Sequence, residues 1–475
     1  MNNEPFIHLY RSPRGFYFYE VNKDSIVGID KSLYDYLDKK KSDADLGADE
    51  QKSLQFLKDK GYLSAKHFTN VKHPETDNMK YYLDNKCNQL ILQVTQACNL
   101  ICYYCPYANK SVNSLQRDHS GKTMTWEVAK ASIDFFFSHS SDSDELAFSF
   151  YGGEPLIAFD LIKKCVAYTD ELFVDKKHTY SMTTNATLFD DEMIEFLVAH
   201  NFDITFSIDG PEHIHDINRK KSDGTGSFRT AFQNLKKVAD KYGEKAKKHI
   251  MINTVINPEH DLDEILSLYK EPFFEKYRIL MAGAMAEDDM LDKNIEATDD
   301  YRWKITYQYF LGLLDYLDLV KDIDVPLFIK VETHLLTNKY ELFRSPGEGL
   351  PDEGAPGGPC IPGQQRLFVD TSGTLYPCEK VNETAGCMQI GNVFDGFDYE
   401  KADSILNISR ITAEKCRNCY ALLHCQLCAR YADAGDHFSA EKRIANCDNS
   451  YSYVDDLIQS CILIKESRTM YKWRG

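Results

Sequence analysis

Hydrophobic and polar positions alternate in short runs along this chain, and the character of the runs changes from segment to segment. Phe6-Ile7-His8-Leu9-Tyr10 and Gly15-Phe16-Tyr17-Phe18-Tyr19-Glu20-Val21 flank a turn at Ser12-Pro13-Arg14-Gly15, which predicts a hairpin. Residues 25–29 predict a third strand. Two helical stretches follow, 32–41 and 50–60, the second with Leu54 and Leu57 on one face. Strands followed by helices predict a winged-helix-like module over residues 1–75, whose edge strand offers a place for an added peptide strand. Residues 76–89 read as a polar linker. From Leu90 the texture becomes strand alternating with helix, the strands at 90–94, 146–150, 180–184, 204–208, 250–255 and 277–280. Repeated βα units over 90–300 predict a parallel sheet, open or closed into a barrel, ending in an acidic loop at 286–300. Residues 301–343 are helical and 345–359 are dense in Pro and Gly, so 301–359 form a bridge. From Cys360 to residue 475 little strand or helix regularity is expected, as when metals replace a core.

Charge and length narrow the classes. The 475 residues carry a net charge of −18, which disfavours nucleic acid and anionic membrane as partners. Apolar runs such as 279–286 are too short to span a bilayer, and Met1-Asn2-Asn3-Glu4 lacks the charge and apolar run of a secretion signal, so a cytoplasmic location is expected. The fourteen cysteines change the picture most. They stand at 87, 98, 102, 105 and 165 and then nine times between 360 and 461. Clustering of that kind in a reducing compartment points to metal or iron–sulfur ligation rather than disulfides.

Cys98-Asn99-Leu100-Ile101-Cys102-Tyr103-Tyr104-Cys105-Pro106 follows the first strand of the βα region. Three thiolates on one tight loop can hold three irons of a [4Fe–4S] cube and leave the fourth iron free. Tetrahedral zinc wants a fourth nearby ligand, and none is close in sequence. Phe150-Tyr151-Gly152-Gly153-Glu154-Pro155 ends the next strand; its glycines give a ligand room to approach, and Glu154 can accept hydrogen bonds from an ammonium. Thr183-Thr184-Asn185-Ala186 and Ser207-Ile208-Asp209-Gly210-Pro211 end the third and fourth strands, and carboxyl ends of parallel strands are where ligands bind.

The three-cysteine spacing, with Tyr104 before the last cysteine, resembles the signature of the radical S-adenosylmethionine (radical SAM) enzymes, and Gly152-Gly153-Glu154 resembles their GGE motif. The resemblance implies an α/β fold, a partial (β/α)6 TIM-like barrel, with a catalytic [4Fe–4S] cluster on Cys98, Cys102 and Cys105. It implies SAM bound to the free iron and cleaved to methionine and a 5′-deoxyadenosyl radical, chemistry that the protein orients and shields. Tyr104, Gly152, Gly153 and Glu154 are assigned by it to cofactor binding, Glu154 at the SAM amino group. Asn185, Ser207 and Asp209 would line the SAM site, and Arg219 is a candidate for the SAM carboxylate. An electron donor such as flavodoxin or ferredoxin is implied as a partner.

Further along come Cys360, then Cys378 in Gly373-Thr374-Leu375-Tyr376-Pro377-Cys378, then Cys416-x2-Cys419-x5-Cys425-x2-Cys428 and Cys447. Alone, the C-x2-C-x5-C-x2-C run suits zinc as readily as iron. The full order resembles the SPASM extension of radical SAM enzymes, although the final pair is spaced by two residues where the usual pattern has three. That resemblance implies two auxiliary [4Fe–4S] clusters, three clusters in all. Cys360, Cys378 and Cys428 would hold auxiliary cluster I, and Cys416, Cys419, Cys425 and Cys447 auxiliary cluster II. Either Cys387 completes cluster I or one of its irons is open. Cys87, Cys165 and Cys461 fit no pattern, and Cys165, on an apolar helical face, is expected in the core.

Two substrate readings remain within the family. In anaerobic sulfatase maturases, which oxidise a Cys or Ser side chain, an Asp follows the cysteine of Gly-x4-Cys and acts as base; Glu379 stands there in this chain and is the candidate catalytic base. The N-terminal module instead resembles the recognition element of enzymes that modify ribosomally made peptides, which implies a leader-bearing precursor peptide as partner and a crosslink, a Cys thioether as in sactipeptide and ranthipeptide maturases, as product. A zinc-binding scaffold is the alternative from another class. Anaerobically purified protein is expected to be brown, with about twelve irons and matching sulfide for three four-iron clusters. Stoichiometric zinc without visible absorption would overturn the cluster reading.

Overall fold

The computed structural model describes residues 4–39, 46–105, 120–285, 297–321, 323 and 325–471. Most of the expected acidic loop, 286–296, lies outside them, as do Lys40 and Lys41 at the end of the first helical stretch and Pro106 after the first cysteine cluster.

Strands β1 (Ile7–Arg11), β2 (Phe16–Glu20) and β3 (Ser25–Ile29) form an antiparallel sheet in that order, so β3 is an edge. Successive side chains face opposite ways, and the two faces have different neighbours. Phe18 packs with Leu33 and Leu57 of the helices Lys31–Leu37 and Ala48–Asp59. Tyr17 and Tyr19 pack with Val454, Leu457 and Ile458 of a long helix, Cys447–Tyr471. Polar contacts reinforce that seam: the Tyr10 hydroxyl donates to Asp455 (2.6 Å), the Tyr17 hydroxyl to Glu466 (2.7 Å), and His8 stacks on Tyr420 with centroids 3.8 Å apart. The module is therefore part of the body, and removing it would uncover the second core of the protein.

Strand β4 (Gln89–Thr95) is buried from Leu90 to Thr95, as a strand enclosed on both faces must be. It pairs in parallel with β5 (Glu145–Gly152), followed in parallel by β6 (Lys177–Thr184), β7 (Asp203–Ser207), β8 (Ile250–Ile256) and β9 (Leu280–Met285). Crossover helices such as Trp126–Ser138, Phe159–Leu172 and Phe228–Tyr242 cover this sheet. The result is the partial barrel, six parallel strands whose carboxyl ends carry the motifs.

Three expectations need correction. The linker at 76–89 contains a helix, Met79–Asn85, because Met79 and Leu83, one turn apart, are buried in the main core. The sixth strand begins at Leu280 rather than near Tyr277: Pro272 opens a short helix, Pro272–Tyr277, which Arg278 ends at φ 50°. The region after Cys360 is more regular than expected. Its β10 (Leu367–Val369) pairs in parallel with β4, and β11 (Thr374–Tyr376) pairs antiparallel with β10, so this region extends the barrel sheet itself. The C-terminal helix was legible in Val454, Leu457, Ile458 and Cys461, spaced three and four apart along one face. Cys87 and Cys165 are buried in the main core and Cys461 in the second. Among the described residues no helix is long and apolar enough to cross a membrane.

Candidate active site

The cysteine loop is held by its neighbours on both sides. Leu100–Cys102 pairs antiparallel with Arg219–Lys221, Cys102 opposite Arg219, and Tyr103 N–H donates to Asn218 O (2.9 Å). The loop's entry, residues 95–97, is gripped by the two residues after β5: Gly153 N–H donates to Thr95 O and Glu154 N–H to Ala97 O, both 2.9 Å. A Cβ at Gly152 would collide with the Thr95 carbonyl and one at Gly153 with the Ala97 carbonyl, and Gly152 has φ 133°. The backbone these glycines admit is that of the cysteine loop's entry.

Glu154 is fully buried. One of its carboxylate oxygens accepts from Leu156 N–H (3.1 Å) and the Thr184 hydroxyl (2.8 Å), the other from Asn185 N–H (2.7 Å). Burial pushes its pKa up to about 7, against the opposing pull of those donors. Asn185 joins this carboxylate to the thiols, its Nδ2 standing 3.8 Å from Cys98 Sγ and 2.9 Å from Asn99 Oδ1. The next residue, Ala186, turns the chain at φ 65° and is buried, a backbone conformation held in place by the Thr184 hydroxyl and by Asn234.

Asp209 is the second anchor. Its carboxylate accepts from the Tyr104 hydroxyl, from Arg219 Nε (2.9 Å) and from Val255 N–H (3.0 Å), with the Asp209 side chain fully buried. Arg219 also stands over the Tyr104 ring, 5.3 Å from its centroid. The guanidinium expected for a SAM carboxylate is thus engaged by Asp209. His215, which the sequence did not single out, supports this group: its Nδ1 accepts from Asp209 N–H (3.4 Å), and its Nε2 lies 3.0 Å from Ser227 Oγ, which itself donates to Arg219 O. Burial lowers the His215 pKa to about 4, so it is neutral at pH 7. Ser207 is buried at the end of β7.

Cys98, Cys102 and Cys105 lie within electrostatic reach of one another, and burial pushes Cys98 up to about 11 and Cys102 to about 12. Leu100 N–H points at Cys98 Sγ (3.4 Å), a donor suited to a thiolate. Among the described residues no three Cys, His, Asp or Glu side chains are gathered as a single ion would need. Three thiols on one loop within electrostatic reach of one another are the donor set that a [4Fe–4S] cluster with one free iron takes.

The C-terminal cysteines fall into two sets. Cys416, Cys419, Cys425 and Cys447 line one small cavity. Arg443, 1% exposed, projects beside it, with one terminal nitrogen 3.5 Å from Cys416 Sγ and a buried Nε without a hydrogen-bond partner. A buried cation with an unused donor against four thiols fits an anionic cluster. No local pattern marks Arg443; only the fold brings it there. Cys428 acts electrostatically on both Cys360 and Cys378, which groups those three. Cys387 is turned elsewhere: its thiol donates to Asp433 (3.7 Å), and its largest electrostatic influence is that carboxylate. Glu379 is held in an ion pair with Arg366 (2.5 Å).

Comparison with known proteins agrees with this architecture. Residues 92–271 match the model of the Radical SAM superfamily. A cysteine-type anaerobic sulfatase-maturating enzyme of Clostridium perfringens is 24% identical over 372 residues, 74% of this chain and 91% of that one. The radical SAM cyclopropyl synthase TigE of Paramaledivibacter caminithermalis is 23% identical over 344 residues, 70% of this chain and 66% of that one. Among solved structures, anSMEcpe with bound AdoMet and Kp18Cys peptide superposes with a TM-score of 0.55 at 22% identity, covering 78% of this chain and 98% of that one. At that identity the likeness establishes the shared fold.

Asp209→Asn would leave Arg219 buried without its counter-charge. It is expected to cost about 3–5 kcal/mol of stability, measured by anaerobic denaturant unfolding. A loss below about 1 kcal/mol, the scale of an exposed pair, would contradict the buried-anchor assignment.

Proposed function

We propose that this chain, a radical SAM enzyme by the domain it carries over residues 92–271, modifies a ribosomally made precursor peptide, docking its leader on the N-terminal module and forming a Cys thioether crosslink in the core peptide. The observation that carries the reading is a cleft of about 700 Å³ between β3 and the helix Ala48–Asp59, lined by Val27, Ile29, Leu33, Phe56 and Leu57. It runs along the free edge of a three-stranded sheet, where an extended peptide gains main-chain hydrogen bonds and a pocket for alternate side chains. Phe56, 60% exposed, forms its outer wall. That the solved anSMEcpe chain binds a peptide beside AdoMet supports a peptide as the class of substrate.

In this reading Cys98, Cys102 and Cys105 hold the catalytic cluster, and Glu154 and Asn185 face the SAM amino group. When bound, SAM and its cluster supply hydrogen-abstracting radical chemistry. The chain's own residues orient and shield it: Glu154, fixed by three donors, presents a carboxylate that cannot swing away, and the Asp209–Arg219–Tyr104 group closes the wall behind the cysteine loop. Cys360, Cys378 and Cys428 would hold auxiliary cluster I with one iron open to a substrate thiolate, and Cys416, Cys419, Cys425 and Cys447 auxiliary cluster II. The second reading, oxidation of a Cys or Ser side chain in a sulfatase, is favoured by the match over 91% of the Clostridium perfringens enzyme. Glu379, tied to Arg366, argues against it as a free base at the expected position.

Phe56→Asp places a charge in the cleft wall at an exposed site. It is expected to raise KM for a leader-bearing peptide at least about tenfold, the equivalent of roughly 1.4 kcal/mol, with SAM cleavage assayed in parallel. An unchanged KM would refute docking in this cleft. Cys387→Ala is expected to retain the iron content of the parent, because its thiol serves Asp433; loss of about four irons would assign Cys387 to auxiliary cluster I.

A further inference from the structure

Two cavities border β3, and they differ in chemistry. The cleft described above has an apolar floor and a rim that carries Asp30 and Lys52. The second, of about 290 Å³, is lined by residues that include Ser25, Ile26, Tyr340, Arg344, Cys461 and Lys465, and no carboxylate lines it, in a chain whose net charge is −18. Lys465 is half-buried and donates to Ile26 O (3.1 Å), on the edge strand itself. No ion pair to it occurs among the described residues, whereas Arg344 pairs with Glu341 (2.8 Å). Burial lowers the Lys465 pKa with no carboxylate opposing it. A half-buried ammonium with no carboxylate against it is a place for an anion.

We propose that this second cavity takes the carboxylate of an acidic residue in the docked leader peptide, with Lys465 as counter-ion. The proposal rests on the peptide-docking reading above and adds the leader's charge and register to it. Continuity along β3 ties the two cavities to one occupant. Val27 and Ile29 belong to the helix-covered face, while Ile26 packs against the C-terminal helix on the other. Side chains of an added strand alternate in the same way, so its apolar anchor and its acidic residue must be an odd number of positions apart. From Ile26 to Ile29 the strand rises about 10 Å, so an anchor over Ile29, deepest along the cleft from Ile26, stands three positions from the acidic residue.

The test is a random-peptide phage selection against the full-length, anaerobically purified enzyme, retaining binders that are lost on Phe56→Asp. Those peptides are expected to carry Asp or Glu three positions from an aromatic or aliphatic anchor. Lys465→Glu should select Lys or Arg at that same position. For one acidic binder, Lys465→Met should weaken affinity about tenfold, roughly one decade in Kd, and Lys465→Arg should restore it. A Gln-for-Glu version of the peptide should not distinguish these variants. Binders that depend on Phe56 but lack the acidic residue, or that keep it against Lys465→Glu, would overturn this inference and leave the docking reading standing. A selection that yields no Phe56-dependent binder would overturn both.

Discussion

The buried Asp209 carboxylate holds together parts of the chain that are far apart in sequence. A carboxylate removed from water is tolerated only when its lone pairs are occupied and its charge is matched. Here Tyr104 brings in the cysteine loop, Arg219 the hairpin strand that pairs with Cys102, and Val255 the end of β8. These donors converge on one carboxylate, so each segment's position depends on the others. The three thiols of the cysteine loop inherit their placement from this polar knot, since the loop has no regular structure beyond its three paired residues. His215 belongs to the same economy of hydrogen bonds: burial keeps it neutral, which lets Nδ1 accept from the Asp209 backbone.

A complementary constraint acts from the other side. Gly152 and Gly153 let β5 approach the entry to the cysteine loop more closely than any side chain would allow, and Glu154 immediately after them ties the end of β6 to the same point. The motif therefore has a packing role that precedes any contact with a cofactor. Its carboxylate is presented from a rigid support rather than from a loop free to move, the arrangement that positioning of a reactive group requires.

The N-terminal module is joined to the rest by burial rather than by a tether. One face of its sheet shares a core with the C-terminal helix, whose Lys465 reaches the edge strand, and Tyr420, next to Cys419, stacks on His8. The N-terminal sheet and the loop that carries Cys419 are thereby parts of one packed unit.

Much of this was legible along the chain because it is local. Alternation marked the three N-terminal strands and the barrel strands, helical spacing marked Leu54 and Leu57, and cysteine spacing marked the loop at 98–105, since each depends on residues within a few positions of one another. The two C-terminal sets, spread over dozens of positions, came only from the family resemblance. The helix at 79–85 and the late start of the sixth strand were masked by polar composition and by a short proline-led helix. What folding alone decided is pairing across distance: that β10 joins β4, that Cys387 meets Asp433 rather than Cys378, that Arg443 reaches Cys416, and that Arg219 Nε pairs with Asp209. Buried polar groups must find partners wherever the packed core places them, and nothing in the spacing of residues along the chain records where that will be.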